Sequence, residues 1–504
     1  MRFPQGSPHS AVRNTGNPGL WGFHPFRMKK SRAVLHSVRK IAFVLPQILT
    51  GIPGPKSLAL AQTLRKFESR NITFLDDEFP VFWERAEGTN VWDADGNRFL
   101  DLTSAFGVAG LGHTHPKIKA AIGEQSAKMF HAMGDVHPAV EKAALCRKLS
   151  EMTFQRWEAG SGKTILCNSG FEAVEAALKT SLMHSGKPGV IAFTGAYHGL
   201  GYGALEAGGL PYFRDPFRAQ LKEFATILPY PHCYRCPFDV REDYRIEGNH
   251  FPNCSTACLA RLHALVLKTI EQNDIGCILV EPIQGRGGEV VPPLDFLRML
   301  RQVCDEEKIL LIADEIFTGF NRTGVLFACD HAGIVPDIIC LGKALTSGFP
   351  MSACVGKSHV MDAWPLSTGE ALHTSTFLGN PLGCHMALAA LELHADPALA
   401  TRVQLAGAKF KRALKSIGSP KIGNIRGLGL MLGVELIARD GSPDGAAAGC
   451  IIKRALRDGI ILLAGSPHGN VLSFTPPFDI TDEEIAFAVG RLQEYLTSLP
   501  GSIS

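Results

Sequence analysis

The alternation of short apolar runs with helix-spaced stretches constrains this fold most. Apolar runs fall at residues 164–167, 190–193, 277–280, 309–313 and 338–341. None alternates polar with apolar, so each suits a strand covered on both faces. Helical spacing fills 172–184, 257–272 and 295–307 between them. Strand-helix-strand alternation of this kind predicts a mostly parallel α/β sheet flanked by helices.

The flanks read differently. Residues 91–100 form two short strands turning at Asp95-Gly96, a hairpin signal. The 116–129 stretch has helical spacing, and beyond about residue 380 long helices dominate. In the last helix Thr481 and Glu484 make a capping box, and Ile485, Val489, Leu492 and Leu496 line one face. The expected organisation is an extension over 1–50, a small domain from 51–110 and 380–504, and a large domain over 111–379.

Charge separates the extension from the body. Residues 1–67 hold eleven Lys or Arg and no Asp or Glu, leaving 40 basic against 48 acidic residues elsewhere. A mildly acidic body argues against a nucleic-acid-binding face. The lead reads as a poorly ordered extension, compatible with organelle targeting or an early start before Met28. Its most apolar stretch, 41–52, is too short and contains Pro46, so no membrane span is expected. Thirteen Cys cannot all pair internally, which favours reduced thiols and the cytoplasm.

Several residues invite chemistry. Lys343 follows the 338–341 run, where desolvation would make its amine a nucleophile toward a carbonyl. Asp314 ends the 309–313 run, at the strand end where α/β sheets bind ligands; it suits a protonated ring nitrogen or a helix cap. Asn168-Ser169-Gly170-Phe171-Glu172 joins a strand to a helix N-terminus, a place for phosphate. Tyr197, after the 190–193 run, could stack on a planar ring or fill core. Gly160-Ser161-Gly162-Lys163-Thr164 imitates a nucleotide loop, but Trp157 stands where its first glycine belongs and a strand follows. Cys233, Cys236, Cys254 and Cys258, in a polar insert over 231–258, have spacing compatible with zinc, free thiols or a local disulfide.

Together these motifs resemble the class III pyridoxal-phosphate aminotransferases of fold type I, the ω-amino acid and 4-aminobutyrate type, from about residue 75 onward. Glu281-Pro282-Ile283-Gln284-Gly285, the 314–324 stretch beginning Asp-Glu, Gly342-Lys343, Ser375-Thr376-Phe377-Leu378-Gly379-Asn380-Pro381 and Arg426-Gly427-Leu428-Gly429 complete the series. The resemblance implies pyridoxal 5'-phosphate on Lys343 as an internal aldimine and Asp314 on the pyridine nitrogen. It also implies phosphate at Gly170 and Phe171, Tyr197 over the ring and Glu281 supporting the pocket through charge pairing. Thr376 is expected to reach the phosphate of a neighbouring subunit, hence a homodimer with shared sites. The implied reaction moves an amino group from an ω-amino acid or amine to pyruvate or 2-oxoglutarate.

Three positions depart from the family's pattern. Phe317 stands where a Gln often bonds the ring hydroxyl, Arg286 where a Glu is common, and Ser473 where an Arg clamps a carboxylate. Arg286 is therefore expected either to bind a substrate carboxylate in the clamp's stead or to pair with a structural acid. Loss of the usual clamp keeps racemase, epimerase, decarboxylase and lyase outcomes open on the same fold. A non-catalytic regulator retaining the fold is a third reading, against which Lys343 and Asp314 both stand.

Overall fold

The computed structural model describes residues 45–238 and 254–499, with the side chains of 254–256 outside the description. A seven-stranded sheet forms its centre. The strands are β4 (Gly162–Cys167), β5 (Gly189–Phe193), β6 (Ala225–Leu228), β7 (Ile275–Val280), β8 (Leu310–Asp314), β9 (Ile338–Leu341) and β10 (Ser352–Lys357), in the order β4-β10-β9-β8-β7-β5-β6. All five apolar runs are strands of this sheet. The pairs β5·β6, β5·β7, β7·β8 and β8·β9 are parallel. Only β10 runs against its neighbours, β4 and β9.

Every residue of β7, β8 and β9 is buried. Helix Gly170–Ser185 covers one face, where Ala173, Val174 and Ala177 meet Cys277, Leu279 and Ile312. Helices Cys254–Gln272 and Leu294–Glu307 cover the other, where Leu262, Phe296 and Leu300 meet Ile278 and Leu311. Each such Leu, Ile or Phe contributes roughly 1.5–3 kcal/mol on burial, which fixes the sheet between two helical layers.

Two smaller sheets lie outside this core. The predicted hairpin is there: β1 (Trp83–Glu87), β2 (Asn90–Asp93) and β3 (Arg98–Asp101) run antiparallel, and β13 (Ile460–Ile461) adds parallel to β3. Sheet β11-β12-β15-β14 comprises Ile422–Leu428, Met431–Leu436, Val471–Phe474 and Leu463–Gly465 in that order. One core joins residues from both ends of the chain, Leu100 and Leu102 with Phe410, Leu432, Phe474 and Leu492.

The capping box at Thr481 closes as the sequence implies, with Glu484 accepting the Thr481 N–H at 2.8 Å. Ile485, Val489, Leu492 and Leu496 are all buried. The helix expected over 116–129 ends earlier, at Ser126, leaving Met129 exposed. Of the basic extension, only 45–50 lie among the described residues. There Gln47 exchanges backbone hydrogen bonds with Arg98 at 2.9 and 2.8 Å, so this stretch is held. No described helix is long and apolar enough to cross a membrane.

Candidate active site

Strand direction gathers the chemistry. In a parallel sheet every strand leads to the same edge, and β4, antiparallel to β10, points the same way as β9. The segments after β4, β9, β8, β7 and β5 therefore open side by side, carrying Ser169–Phe171, Lys343, Asp314, Glu281 and Tyr197-His198.

Lys343 follows β9 with φ of 45°, a left-handed conformation that costs a non-glycine residue of order 1 kcal/mol or more. Its Nζ lies 4.5 Å from the centroid of the Phe317 ring. Burial pushes the amine below its ordinary range; Asp314 and Glu281 pull it back only partly, and Arg286 adds to the depression. This is the environment that makes a lysine nucleophilic.

Asp314 is buried, and its Oδ1 accepts the Ile316 N–H at 3.1 Å at the head of a turn, not of the helix that a cap would need. Its Oδ2 lies 2.7 Å from Nδ1 of His198, a residue of the Tyr197-His198-Gly199 motif to which the sequence assigns no role. Burial drives the His198 imidazole down. The hydrogen bond to Asp314 and the charges of Asp314 and Glu281 outweigh that, and the net shift is upward. Its Nε2 is buried without a hydrogen-bond partner.

Glu281 takes backbone N–H groups rather than a cation, from Tyr197 at 3.0 Å and Gly285 at 3.2 Å. Burial pushes its carboxyl up to about 7, against the pull of His198 and these two bonds. The Tyr197 ring packs edge-on against Phe213 at 5.4 Å, and the Arg286 guanidinium stands 5.7 Å from the same Phe213 ring. Arg286 is exposed and forms no ion pair among the described residues.

Ser169 caps helix Gly170–Ser185, and Glu172 reaches back to the backbone N–H of Asn168 at 2.6 Å and Ser169 at 3.1 Å. The first helical N–H groups, at Gly170 and Phe171, then have no intrahelical acceptor. Ser169 Oγ is buried and unpartnered. Gly199 closes over this turn with φ of 107°, where a Cβ would stand 2.3 Å from that of Phe171, so only glycine fits. A buried hydroxyl without a partner beside open helix N–H groups suits an anionic oxygen group such as phosphate.

The departing positions each have a place. Phe317 is wedged between Gly107 and Gly285, where a Cβ on either would lie 2.4 Å from the ring. Ser473 donates its hydroxyl to Glu289, a second residue the sequence reading passed over. Burial pushes the Glu289 carboxyl up to about 8. Thr376 is exposed, and Ser375 beside it accepts from Asn168 at 3.2 Å.

Two sequence features lie elsewhere. Lys163 of the imitation nucleotide loop sits in β4 and pairs with Asp362. In the Cys insert, Cys236 and Cys258 pack together with Phe238, and no group of metal-ligating residues occurs among the described residues. The Cys254 side chain lies outside them.

Residues 74–496 match the aminotransferase class-III family. The chain is 34% identical over 462 residues to a 4-aminobutyrate aminotransferase of Mycobacterium leprae, covering 89% of this chain and 98% of that protein. It is 31% identical to a leucine/methionine racemase of Thermococcus litoralis, covering 83% and 91%. Among solved structures, an amine transaminase from an uncultivated Pseudomonas species, in its PLP-bound form, superimposes with a TM-score of 0.77 at 28% identity, covering 86% and 98%. With its mostly parallel sheet and its Lys343–Asp314 edge, the chain belongs to the class III aminotransferases, enzymes that depend on pyridoxal 5'-phosphate.

Proposed function

We propose that the enzyme transfers the amino group of an ω-amino acid or a simple amine to a keto acid, pyruvate or 2-oxoglutarate. The carrying observation is the convergence at one sheet edge of Lys343, its amine lowered by burial, and the His198–Asp314 couple. When bound, pyridoxal 5'-phosphate supplies an aldehyde for amines and a ring that takes up electrons from the amine-bearing carbon. The open N–H groups of Gly170 and Phe171, with Ser169 Oγ, suit its phosphate. Asp314, held by His198, suits a protonated ring nitrogen. Tyr197 and Phe213 form an aromatic wall along one side, and Glu281 fixes the backbone that carries Tyr197.

Lys343 has two tasks in this reading. Its amine, lowered by burial, would hold the cofactor's aldehyde carbon at rest. With a donor seated, the same amine would accept the proton of the donor's amine-bearing carbon and hold it for return. Arg286, exposed and unpaired, receives the carboxylate of donor or acceptor. Thr376, on an exposed loop, would complete the site of a second copy, and a homodimer is the working unit in this reading. Twelve free cysteines among the described residues fit a reducing compartment, and the cytoplasm is the one we assign.

A specific observation keeps racemisation as the second reading: the guanidinium clamp is absent at Ser473, and one relative is a racemase. The test is a donor screen with pyruvate and with 2-oxoglutarate, following the visible absorbance of the bound cofactor and the products. Pyridoxamine phosphate together with a released carbonyl product supports transfer. Inversion of a chiral amino acid without either supports racemisation and overturns transfer. Borohydride reduction of the holoenzyme should tag Lys343; a tag on another residue overturns the site.

A further inference from the structure

One departure from the family's pattern, Phe317, stands against the reacting amine. The chain leaves β8 at Asp314 and turns, with Ile316 and Phe317 both half-buried. Ile316 packs beneath Gly170 and Gly342, where a Cβ would lie 3.1 and 3.3 Å from it. Phe317 packs on the cluster of Ile283, Ala328 and Met431. Two glycines fix the plane of its ring. A Cβ on Gly107 would meet Cε2 at 2.4 Å and Cδ2 at 2.8 Å, and one on Gly285 would meet Cδ1 at 2.4 Å and Cε1 at 2.9 Å. These are opposite edges of the ring, so its faces are what remain for contact. Over one face lies Nζ of Lys343, 4.5 Å from the centroid, with no hydrogen bond or ion pair among the described residues.

The charges that bear on Nζ come from neighbouring elements. Asp314, at the end of β8 and bonded to His198, favours the charged amine, as does Glu281 after β7; Arg286 in the same loop opposes it. None of these groups pairs with Nζ directly. A carboxylate within about 4–6 Å moves a titrating partner by about 1–3 pH units, enough to keep a base from releasing its proton. A π face attracts a cation and has little hold on a neutral amine. For a desolvated ammonium its pull corresponds to a rise of about 0.4–1.5 pH units.

We propose that the clamped face of Phe317 holds the Lys343 amine while it carries the proton taken from the donor, favouring the ammonium without locking it in an ion pair. The donor's C–H bond breaks, an N–H bond forms on Lys343, and the electron pair is left to the cofactor; the return of the proton reverses the N–H step. The ring acts through Lys343 alone. A glutamine at this position would offer hydrogen bonds, whereas a phenyl ring offers a face and edges, and here the edges are taken by Gly107 and Gly285. The inference rests on Lys343 as the proton-carrying amine, and it holds for transfer and racemisation alike.

Phe317→Leu keeps an apolar side chain against the amine and removes the π face, so the contact is lost while burial is retained. The readout is the midpoint of Lys343 titration in the full-length apoprotein, from the pH dependence of its acetylation by acetic anhydride, followed by peptide mass spectrometry. The midpoint should fall by about 0.4–1.5 pH units in Phe317→Leu. Phe317→Tyr, which keeps the face, should restore at least half of that fall. A fall of less than about 0.4 pH units, or a rise, overturns the inference, as does a Phe317→Tyr midpoint that restores less than half. Should Phe317→Leu fail to fold, Phe317→Met, equally without a face, decides by the same measure. Borohydride reduction of the holoenzyme separates the two failures. A tag away from Lys343 removes the site reading, whereas a tag on Lys343 with an unmoved midpoint removes this inference alone.

Discussion

Replacing His198 with Phe tests the electrostatic foundation of the site. The imidazole is fully enclosed and bonds Asp314 at 2.7 Å. Phe keeps the apolar volume and removes the donor, leaving Asp314 only the Ile316 N–H at 3.1 Å. Breaking a buried pair by removing one partner typically costs about 3–5 kcal/mol. The surviving backbone bond points to the lower end, about 3 kcal/mol. At roughly 2–4 °C per kcal/mol for a domain of this order, the apoprotein should melt about 6–12 °C lower. The pH dependence has a definite sign. The folded-state imidazole is raised above its usual value near 6.5, so its contribution is full below that pH and fades as pH climbs through the raised value. The melting gap between wild type and His198→Phe should therefore be widest near pH 5.5 and narrow as pH rises beyond the raised value. Apoprotein melting by calorimetry across that range is the assay, with cofactor affinity from absorbance titration alongside. A gap under 2 °C at pH 5.5, or one that widens with pH, would refute the argument.

Arg286→Ala should raise KM for keto acid acceptors at least tenfold, because the exposed guanidinium is the group offered to their carboxylate; steady-state kinetics with 2-oxoglutarate checks this. Glu289→Gln should flatten the stability-pH curve. Its carboxyl is raised from 4.5 to about 8 in the fold, so wild type loses stability as pH rises across that window, by at most about 1.4 kcal/mol per pH unit, and the variant lacks this slope in denaturant melts. Gly107→Ala places a Cβ 2.4 Å from the Phe317 ring at φ of +80°, so a loss of about 2–4 kcal/mol is expected with weakened cofactor binding; equal melting temperatures and equal cofactor titrations would contradict it.

The central sheet was legible because its strands are buried on both faces and read as unbroken apolar runs. The edge strand β6 and the reversed strand β10 were not. Residues 225–228 are only partly buried, and a strand's direction leaves no mark in its own composition. Lys343 and Asp314 could be found because each ends such a run. The roles of His198 and Glu289 escaped for a common reason: their partners lie 116 and 184 positions away, and no local spacing encodes that. Nothing about Glu289 in its own segment distinguishes it from a solvated loop acid. Only the approach of β15 turns it into a buried one.

Amine and carboxylate owe their relative position to hydrogen bonds between main chains. Ala313 faces Ile339 and Asp314 faces Cys340 across β8 and β9, and Lys343 follows three residues later. A slip of two residues between these strands would displace one group by about 6.6 Å, beyond reach of a shared ring. No side chain on the wall has that leverage. Substitutions at Arg286, Phe317 or Ser473 can rewrite what the enzyme accepts while the reacting atoms stay where the ladder puts them. Such a chassis can change its diet without relearning its chemistry, and the three departures from the family's pattern all fall on the part that is free to vary.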